Sequence, residues 1–251
     1  MKATESDEFR SILGIDVFVG DAIQAVGRMM NGGLLIMPAA PALTKLPHDA
    51  GYREAVLAAD LVIADSSFMV MIWNYLEHDS IRRLSGLEYL SALLTHHSFC
   101  APNKSFWIMA SSESAKTNST WLRQEGIDVT AGDIYTAPTY GESVVDPVLL
   151  EQIREKRPRH IMVTIGGGTQ ERLGLYLRQA LDHSPAIHCV GAAIAFLSGD
   201  QVRIPAWTDR LYLGWVLRCL SNPKEYLPRY WDARKLLTLM VKYRSNLPDV
   251  A

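Results

Sequence analysis

The sequence predicts an α/β fold: a Rossmann-like, mostly parallel sheet with helices on both faces, followed by a helical appendage. Three observations carry this prediction. Apolar runs typical of buried strands alternate with segments of helical periodicity up to about residue 204. A strand, a tight glycine turn and a helix follow one another at residues 161–181. From residue 205 onward only helical patterns remain, so we expect a catalytic α/β domain over residues 1–204 and an appendage over 205–251.

The elements alternate along the chain. The expected strands are residues 12–19, 34–37, 61–64, 104–110, 128–131, 161–165 and 186–190. The expected helices are residues 21–30, 52–59, 68–76, 87–95, 114–124, 146–156 and 169–181, with 207–220 and 223–243 in the appendage. Because strands joined through helices pair in parallel, their carboxyl ends share one edge of the sheet, where open α/β sheets bind ligands.

Composition and charge exclude several classes of protein. Hydrophobic residues make up 48% and charged residues 21% of the 251, which is typical of a globular protein with a substantial core. A net charge of −2 argues against a protein that coats nucleic acid. The polar N-terminus is unlike a signal peptide, and no run of 18 apolar residues predicts a membrane span. Three widely spaced cysteines indicate reduced thiols, so we expect a cytoplasmic protein.

Positive charge is concentrated near the C-terminal end. Between residues 203 and 244 nine Lys or Arg face three acidic residues, which gives this aromatic-rich segment a charge of about +6. Such an asymmetry indicates an anionic partner, for example an anionic membrane surface. The alternative is an ordinary amphipathic helix pair packed on the core.

The glycine turn is the first candidate binding element. Gly166, Gly167 and Gly168 follow a buried-type strand, and Thr169 is the expected N-cap of the next helix. Gln170 and Glu171 lie in the first turn of that helix, where they could hydrogen-bond a ligand. A glycine turn before a helix suits a phosphate or nucleotide, although its glycines could equally serve packing. The pattern is neither GxGxxG nor GxxxxGK[ST], which counts against a doubly wound oxidoreductase or methyltransferase.

Other candidates follow the remaining strands. Asp65 ends the third strand, where a carboxylate can act as a general base or cap a helix. Arg83, beside Arg82, could hold a phosphate or be solvated surface charge. Ser111 forms the turn after the fourth strand, and Tyr140 lies in the loop of residues 132–145, whose length is typical of a functional loop. With no Asp-x-Asp and no His/Cys cluster, we expect neither a metal nor another cofactor.

Four stretches resemble the WecG/TagA/CpsF glycosyltransferases of bacterial cell-surface polymer synthesis. They are ADLVIAD at residues 59–65, RLSG at 83–86, IGGGTQE at 165–171, and an ordered block from Val190-Gly191 to Pro223-Lys224. The resemblance covers about residues 10–235. It implies an inverting, metal-independent transfer of a sugar from a UDP-sugar to a sugar on a lipid pyrophosphate, in the synthesis of cell-surface polysaccharide.

The resemblance also implies roles for single residues. Asp65 would deprotonate the acceptor hydroxyl, Arg83 would stabilise charge near the diphosphate, and Gln170 would contact the nucleotide or donor sugar. The basic C-terminal helices would lie on the inner face of the cell membrane and close over the active site. Four basic residues of that region are expected to bind substrate, the last three at the acceptor's pyrophosphate: Arg203, Arg218, Lys224 and Arg229. Self-association into a homo-oligomer is a further expectation.

The sequence also departs from the family pattern. Ile36-Met37-Pro38 stands where the family has Thr-x-Asn, Ser66 replaces a glycine, Ala195 an aspartate and Gly214 a glutamate. The donor sugar and the acceptor are therefore not carried over from the family. The alternative function is a non-catalytic module of the same fold that binds a nucleotide sugar, and such a module would tolerate the loss of Asp65.

Overall fold

A computed structural model describes residues 8–97, 99, 104–141, 143–200, 231 and 234–250, and in this part of the chain eight strands form one sheet. The strands are β1 (Phe9–Ile12), β2 (Ile15–Phe18), β3 (Gly33–Ile36), β4 (Leu61–Ile63), β5 (Ser105–Met109), β6 (Ile134–Thr136), β7 (His160–Thr164) and β8 (Ala186–Cys189). Their spatial order is β1-β2-β4-β3-β8-β7-β5-β6. All neighbours are parallel except the antiparallel pair of β1 and β2.

Helices connect the strands. In the described residues they are α1 (Ala22–Met29), α2 (Ala40–Leu43), α3 (Ala50–Leu57), α4 (Ser67–Glu77), α5 (Gly86–Leu94), α6 (Ser112–Gln124), α7 (Pro147–Lys156), α8 (Thr169–Ala180), α9 (Ala193–Ser198) and α10 (Lys235–Tyr243). Most begin at a side-chain cap. Asp21, for example, accepts the Gln24 N–H at 2.8 Å and starts α1 where the sequence predicts a helix.

The helices cover both faces of the sheet. One face packs against α1, α5, α6 and α9, and the other against α2, α3, α4, α7, α8 and α10. In β3, Leu35 packs into the first layer, whereas Leu34 and Ile36 pack into the second. Because both faces of the sheet are covered, β4, β5, β7 and β8 are buried at every position and consist mostly of apolar residues rather than alternating ones. The predicted parallel sheet with helices on both faces is confirmed.

Only the last part of the expected appendage lies in the described residues. Helix α10 buries Leu236 and Met240 and packs against α4. At its end, the Arg244 carbonyl accepts the Leu13 N–H at 2.7 Å, which attaches the C-terminal segment to the β1–β2 turn. Residues 201–230 are outside the described residues, so a domain boundary at residue 204 stays a prediction.

Two local predictions are wrong. Residues 12–19 are not one strand, because the chain reverses at Leu13 and Gly14, whose φ angles are 54° and 72°. A leucine in the left-handed region is uncommon, and the glycine beside it, Gly14, is the local turn signal. The second error is the strand expected at residues 128–131. There the Asp133 carboxylate accepts the Thr130 N–H at 2.9 Å and bends the chain into a short 3₁₀ turn, so the strand β6 begins only after it.

Three buried polar side chains link α5 to β8 and β8 to β7. The Tyr89 hydroxyl lies 2.9 Å from His188 Nδ1, and His188 Nε2 lies 3.1 Å from His160 Nδ1. All three side chains are fully buried, and His160 Nε2 has no hydrogen-bond partner among the described residues. Burial, with smaller contributions from Arg159 and His96, lowers the pKa of His160 from 6.5 to about 4. Burial also lowers the pKa of His188 well below its usual value.

These histidines make the fold sensitive to acid. The unfolded chain binds protons on His160 near pH 6.5 and the folded chain only near pH 4, so stability falls as pH drops through that window. We expect the wild type to lose about 2 kcal/mol of unfolding free energy at His160 alone between pH 7.5 and pH 5. Urea denaturation of His160→Gln should show a correspondingly weaker pH dependence. The exposed His48→Gln should behave as wild type, and an unchanged slope in His160→Gln would contradict the assignment.

Candidate active site

The carboxyl ends of the parallel strands open at one edge of the sheet. Asp65 lies just beyond β4, Met37 beyond β3, Gly191 beyond β8 and Gly166 beyond β7, and these four strands are consecutive in the sheet. Ser111 lies beyond β5, on the far side of β7. The structure therefore brings the predicted residues Asp65 and Gly166 to the same edge, with two strands between them.

Asp65 is held by two donors, one from the loop that precedes α5 and one from the first residue of that helix. Arg83 Nη2 donates to Asp65 Oδ1 at 3.0 Å, and the Gly86 N–H donates to the same oxygen at 3.1 Å. Arg83 Nε also donates to the Asp65 carbonyl. Arg83 thus binds both the backbone and the side chain of Asp65, which fixes the carboxylate. Asp65 Oδ2 accepts no hydrogen bond from the part of the chain that the structure describes, so its lone pairs are not used by these residues.

The alternative role of Asp65, as the N-cap of a helix, is taken by its neighbour. Ser66, not Asp65, is the N-cap of α4, and its Oγ accepts the Met69 N–H at 3.2 Å. Helix α5 has its own cap in Ser85. Asp65 is therefore the N-cap residue of neither helix, although its Oδ1 accepts the N–H of Gly86, the first residue of α5. The serine that replaces the expected glycine after Asp65 has a structural reason, since it starts the helix and leaves the carboxylate to Arg83.

The two neighbouring arginines have different environments. Arg82 is 70% exposed and binds Glu88 at 2.7 Å on the surface, whereas the Arg83 side chain is only 15% exposed and binds Asp65. The surface-charge alternative thus fits Arg82 and not Arg83. An exposed pair such as Arg82–Glu88 contributes little stability, while the half-buried Arg83 orients a side chain of the candidate site.

The glycine turn begins α8 in a way that the sequence did not indicate. Gly168, with a φ of +91°, is the N-cap position, and Thr169 is already the first helical residue, so the prediction of Thr169 as cap is wrong. Glu171 Oε2 accepts the Gly168 N–H at 2.6 Å and closes the first turn. Apart from the adjoining residues of the chain, no atom of the described residues lies within 4 Å of where a Cβ on Gly166 or Gly167 would be. The turn therefore presents bare backbone to open space, as a ligand loop requires.

Gln170 and Glu171 connect this turn to the next one. The Gly191 N–H donates to Gln170 Oε1 at 2.8 Å, and Gln170 Nε2 donates to Glu171 Oε1 at 3.2 Å. Both side chains are buried, and burial raises the pKa of Glu171, although its hydrogen bonds and the charge of Lys45 oppose this. These contacts hold the β7–α8 and β8–α9 turns together as one rigid wall of the crevice.

The wall extends to Asp65 through Gly86. A Cβ on Gly86 would lie 3.8 Å from the Val190 carbonyl and 3.0 Å from Met37 Sδ. The start of α5 thus packs closely on the turns after β8 and β3. Met37, in the stretch that replaces the expected Thr-x-Asn, is buried beneath Gly86 and offers no polar group to the site.

Two further predicted residues make contacts within the protein. Ser111 is the N-cap of α6 and accepts the Ser114 N–H at 3.1 Å. The Tyr140 hydroxyl donates to Asp146 Oδ2 at 2.7 Å, and Tyr135 donates to the same oxygen at 2.9 Å. Burial and this shared carboxylate raise the pKa of Tyr140, and they raise that of Tyr135 to about 12. Tyr140 therefore anchors its loop to the start of α7.

Lys45 was not singled out in the sequence. It is exposed in the segment between α2 and α3, and its Nζ would lie 3.4 Å from a Cβ on Gly168. A lone lysine after a proline-rich loop carries no recognisable signal, and only the packing of α3 against α8 brings it to the glycine turn. The predicted Arg203, Arg218, Lys224 and Arg229 lie outside the described residues. No group of three or more His, Cys, Asp or Glu side chains suited to a metal occurs in the described part.

Comparison with known proteins identifies the family of this chain. The model of the glycosyl transferase WecG/TagA/CpsF family matches residues 10–249. A relative from Bacillus spizizenii (strain ATCC 23059 / NRRL B-14472 / W23), named N-acetylglucosaminyldiphosphoundecaprenol N-acetyl-beta-D-mannosaminyltransferase, is 23% identical over 217 residues, which are 85% of this chain and 80% of the relative. The family match covers nearly the whole α/β sheet and the described C-terminal helix. The chain belongs to the WecG/TagA/CpsF family of glycosyltransferases.

Proposed function

We propose that this protein transfers a sugar from a UDP-sugar to a sugar on a lipid pyrophosphate, with inversion at the anomeric carbon, in the synthesis of cell-surface polysaccharide. The observation that carries the proposal is the Asp65 carboxylate. It lies at the carboxyl edge of the sheet, is fixed through Oδ1 by Arg83 and Gly86, and keeps Oδ2 available. The name of the Bacillus relative, a sugar transferase for a lipid-linked acceptor, supports the same class of acceptor.

In this mechanism Asp65 is the general base. Its Oδ2 takes the proton of the acceptor hydroxyl while the hydroxyl oxygen attacks the anomeric carbon from the face opposite the leaving group. The bond between that carbon and the diphosphate oxygen breaks, and its electron pair leaves with UDP. A neutral hydroxyl is a poor nucleophile, and a positioned base accelerates such a step by about 10²–10⁴-fold. Arg83 orients this base, and its charge stabilises the diphosphate that departs nearby.

The glycine turn is the proposed binding element for the donor. Gly166 and Gly167 expose backbone to open space, and the start of α8 favours negative charge. Gln170 and Glu171 shape this turn from behind, and the second N–H of the Gln170 amide is the group we propose for the nucleotide or donor sugar. Ser111 and Tyr140 border the proposed donor site from the turn after β5 and the loop after β6. No metal takes part in the proposal, because cationic side chains and backbone N–H groups balance the diphosphate charge.

The acceptor side faces a membrane in this proposal. No described helix combines the length and apolar character that crossing a membrane requires. Helices α4 and α10 nevertheless expose large apolar side chains around a groove of about 530 Å³, which begins at Phe68, close to Asp65 in the chain. The exposed apolar residues are Met71, Tyr75, Leu237 and Val241. Lys242 and Arg244 lie on and beyond the same helix α10, and an apolar face with flanking cations is typical of peripheral binding to anionic lipid.

The C-terminal basic residues complete the proposal. Arg203, Arg218, Lys224 and Arg229 would contact the substrates, the last three at the acceptor's pyrophosphate. The protein would work at the cytoplasmic face of the cell membrane, and self-association would be compatible with the exposed apolar face. An alternative is a non-catalytic module that binds a nucleotide sugar. The observation that favours it is buried Met37, which places no polar group near the acceptor.

The first test is transfer from a panel of UDP-sugars to a short-chain lipid-pyrophosphoryl sugar, in wild type and Asp65→Asn. We expect product from the wild type, in the presence of EDTA as well, and a loss of rate by about 10²-fold or more in Asp65→Asn. The variant keeps the size of the side chain and an oxygen for Arg83 but lacks the base. Asp16→Asn, an exposed change on β2, is the matched control.

The outcomes separate the two functions. Equal rates in wild type and Asp65→Asn would remove Asp65 from the mechanism. UDP binding without product from any donor would favour the binding module. Product that disappears with EDTA and returns with a divalent cation would contradict transfer without a metal.

Membrane binding is tested with Met71→Ser/Leu237→Ser. Replacing two exposed apolar side chains by serine should weaken co-sedimentation with vesicles that contain anionic lipid by about tenfold or more. Affinity for UDP should stay unchanged. The matched control is Ile23→Ser, which removes an exposed apolar side chain from α1 on the opposite face of the sheet. If Met71→Ser/Leu237→Ser and Ile23→Ser both sediment with vesicles as the wild type does, α4 and α10 do not form the membrane face.

A further inference from the structure

Lys45 is fixed beside the glycine turn by its backbone. Its N–H donates to the Ala42 carbonyl at 2.9 Å, and its own carbonyl accepts the N–H groups of His48 and Asp49, each at 2.8 Å. Asp49 is also the N-cap of α3, which packs along α8. The backbone of Lys45 is therefore fixed between α2 and α3, and only its side chain can change conformation.

The Lys45 ammonium borders the open space above the turn. Its Nζ lies 3.4 Å from the position of a Cβ on Gly168, the residue whose positive φ lets the chain enter α8. Next to it, Gly166 and Gly167 have no atom of the described residues, other than their chain neighbours, within 4 Å of where their Cβ atoms would be. A group lying on this turn would therefore meet backbone on one side and an ammonium group on another.

No acid of the described chain neutralises Lys45 directly. It forms no salt bridge within the described residues, and its side chain is exposed. It interacts electrostatically with the buried Glu171, whose pKa its charge lowers against the larger effect of burial. Both Glu171 oxygens already accept hydrogen bonds, from Gly168 and Gln170. The donors of the ammonium group are therefore available to a ligand above the turn.

We propose that Lys45 binds the diphosphate of the donor and stabilises it as the leaving group, an inference that rests on the proposed function. When the bond between the anomeric carbon and the diphosphate oxygen breaks, the electron pair adds one negative charge to the UDP product. Lys45 stays protonated throughout and offsets this charge as a point cation, without a proton transfer. A lysine beside a glycine turn suits a phosphate because it supplies charge where the backbone supplies N–H groups.

The test compares the affinities of UDP and uridine for wild type, Lys45→Met, Lys45→Arg and Lys104→Met. Uridine keeps the nucleoside and lacks the phosphates, and Lys104 is an exposed lysine that precedes β5 at the opposite edge of the sheet. We expect Lys45→Met to weaken UDP binding by about tenfold or more and to leave uridine binding unchanged. Lys45→Arg should recover most of the affinity for UDP, and Lys104→Met should bind as wild type does.

A Glu171→Gln background distinguishes phosphate binding by Lys45 from a purely structural role. There no buried carboxylate needs a neighbouring cation, so a remaining loss of UDP affinity on adding Lys45→Met supports phosphate binding. The proposal would be overturned if Lys45→Met no longer weakened UDP binding in this background, or if it weakened uridine binding equally. Equal UDP affinity in wild type and Lys45→Met would also overturn it. In those three cases the proposed function stands. Absence of UDP and uridine binding in the wild type would overturn the proposed donor site together with Lys45.

Discussion

Parallel pairing of β4, β3, β8 and β7 is the constraint on which the candidate active site depends. Because each pair is parallel, the loops that follow these strands all emerge at the same edge. Neighbouring strands lie about 4.8 Å apart, so the three steps from Asp65 to Gly166 span about 14 Å. In the proposed function this separation suits an elongated substrate that is held at one end and reacts at the other. Helices on both faces keep these central strands buried and their spacing fixed.

The polar groups behind the crevice are satisfied by one another, which leaves its surface free. Glu171 and Gln170 accept N–H groups from Gly168 and Gly191, and they also bond to each other. A buried carboxylate is costly unless such donors compensate it, and here they also join two turns. The glycines can therefore expose bare backbone without making the turns loose. Stability and site geometry thus rest on the same few hydrogen bonds.

The basic residues near the candidate site differ in whether an acidic side chain pairs with them. Arg83 is committed to Asp65 in a half-buried pair, while Arg82 and Glu88 form a pair at the surface. Lys45 remains without an acidic partner among the described residues at the glycine turn. The net charge of −2 hides this arrangement, because opposite charges at separate places cancel in the sum.

Local and periodic features of this chain could be predicted from the sequence. Buried runs predicted the parallel strands, capping residues such as Asp21 predicted helix starts, and the position of Asp65 after an apolar run placed it at the carboxyl edge of the sheet. Features that join distant parts of the chain required the folded structure: which of Arg82 and Arg83 binds Asp65, and that Lys45 reaches Gly168. The left-handed turn at Leu13 and the bend at Asp133 also escaped prediction, because Arg244 and Lys156, distant in the chain, help to hold them. Local propensity depends on neighbours in sequence, whereas a site depends on contacts that exist only after the sheet has formed.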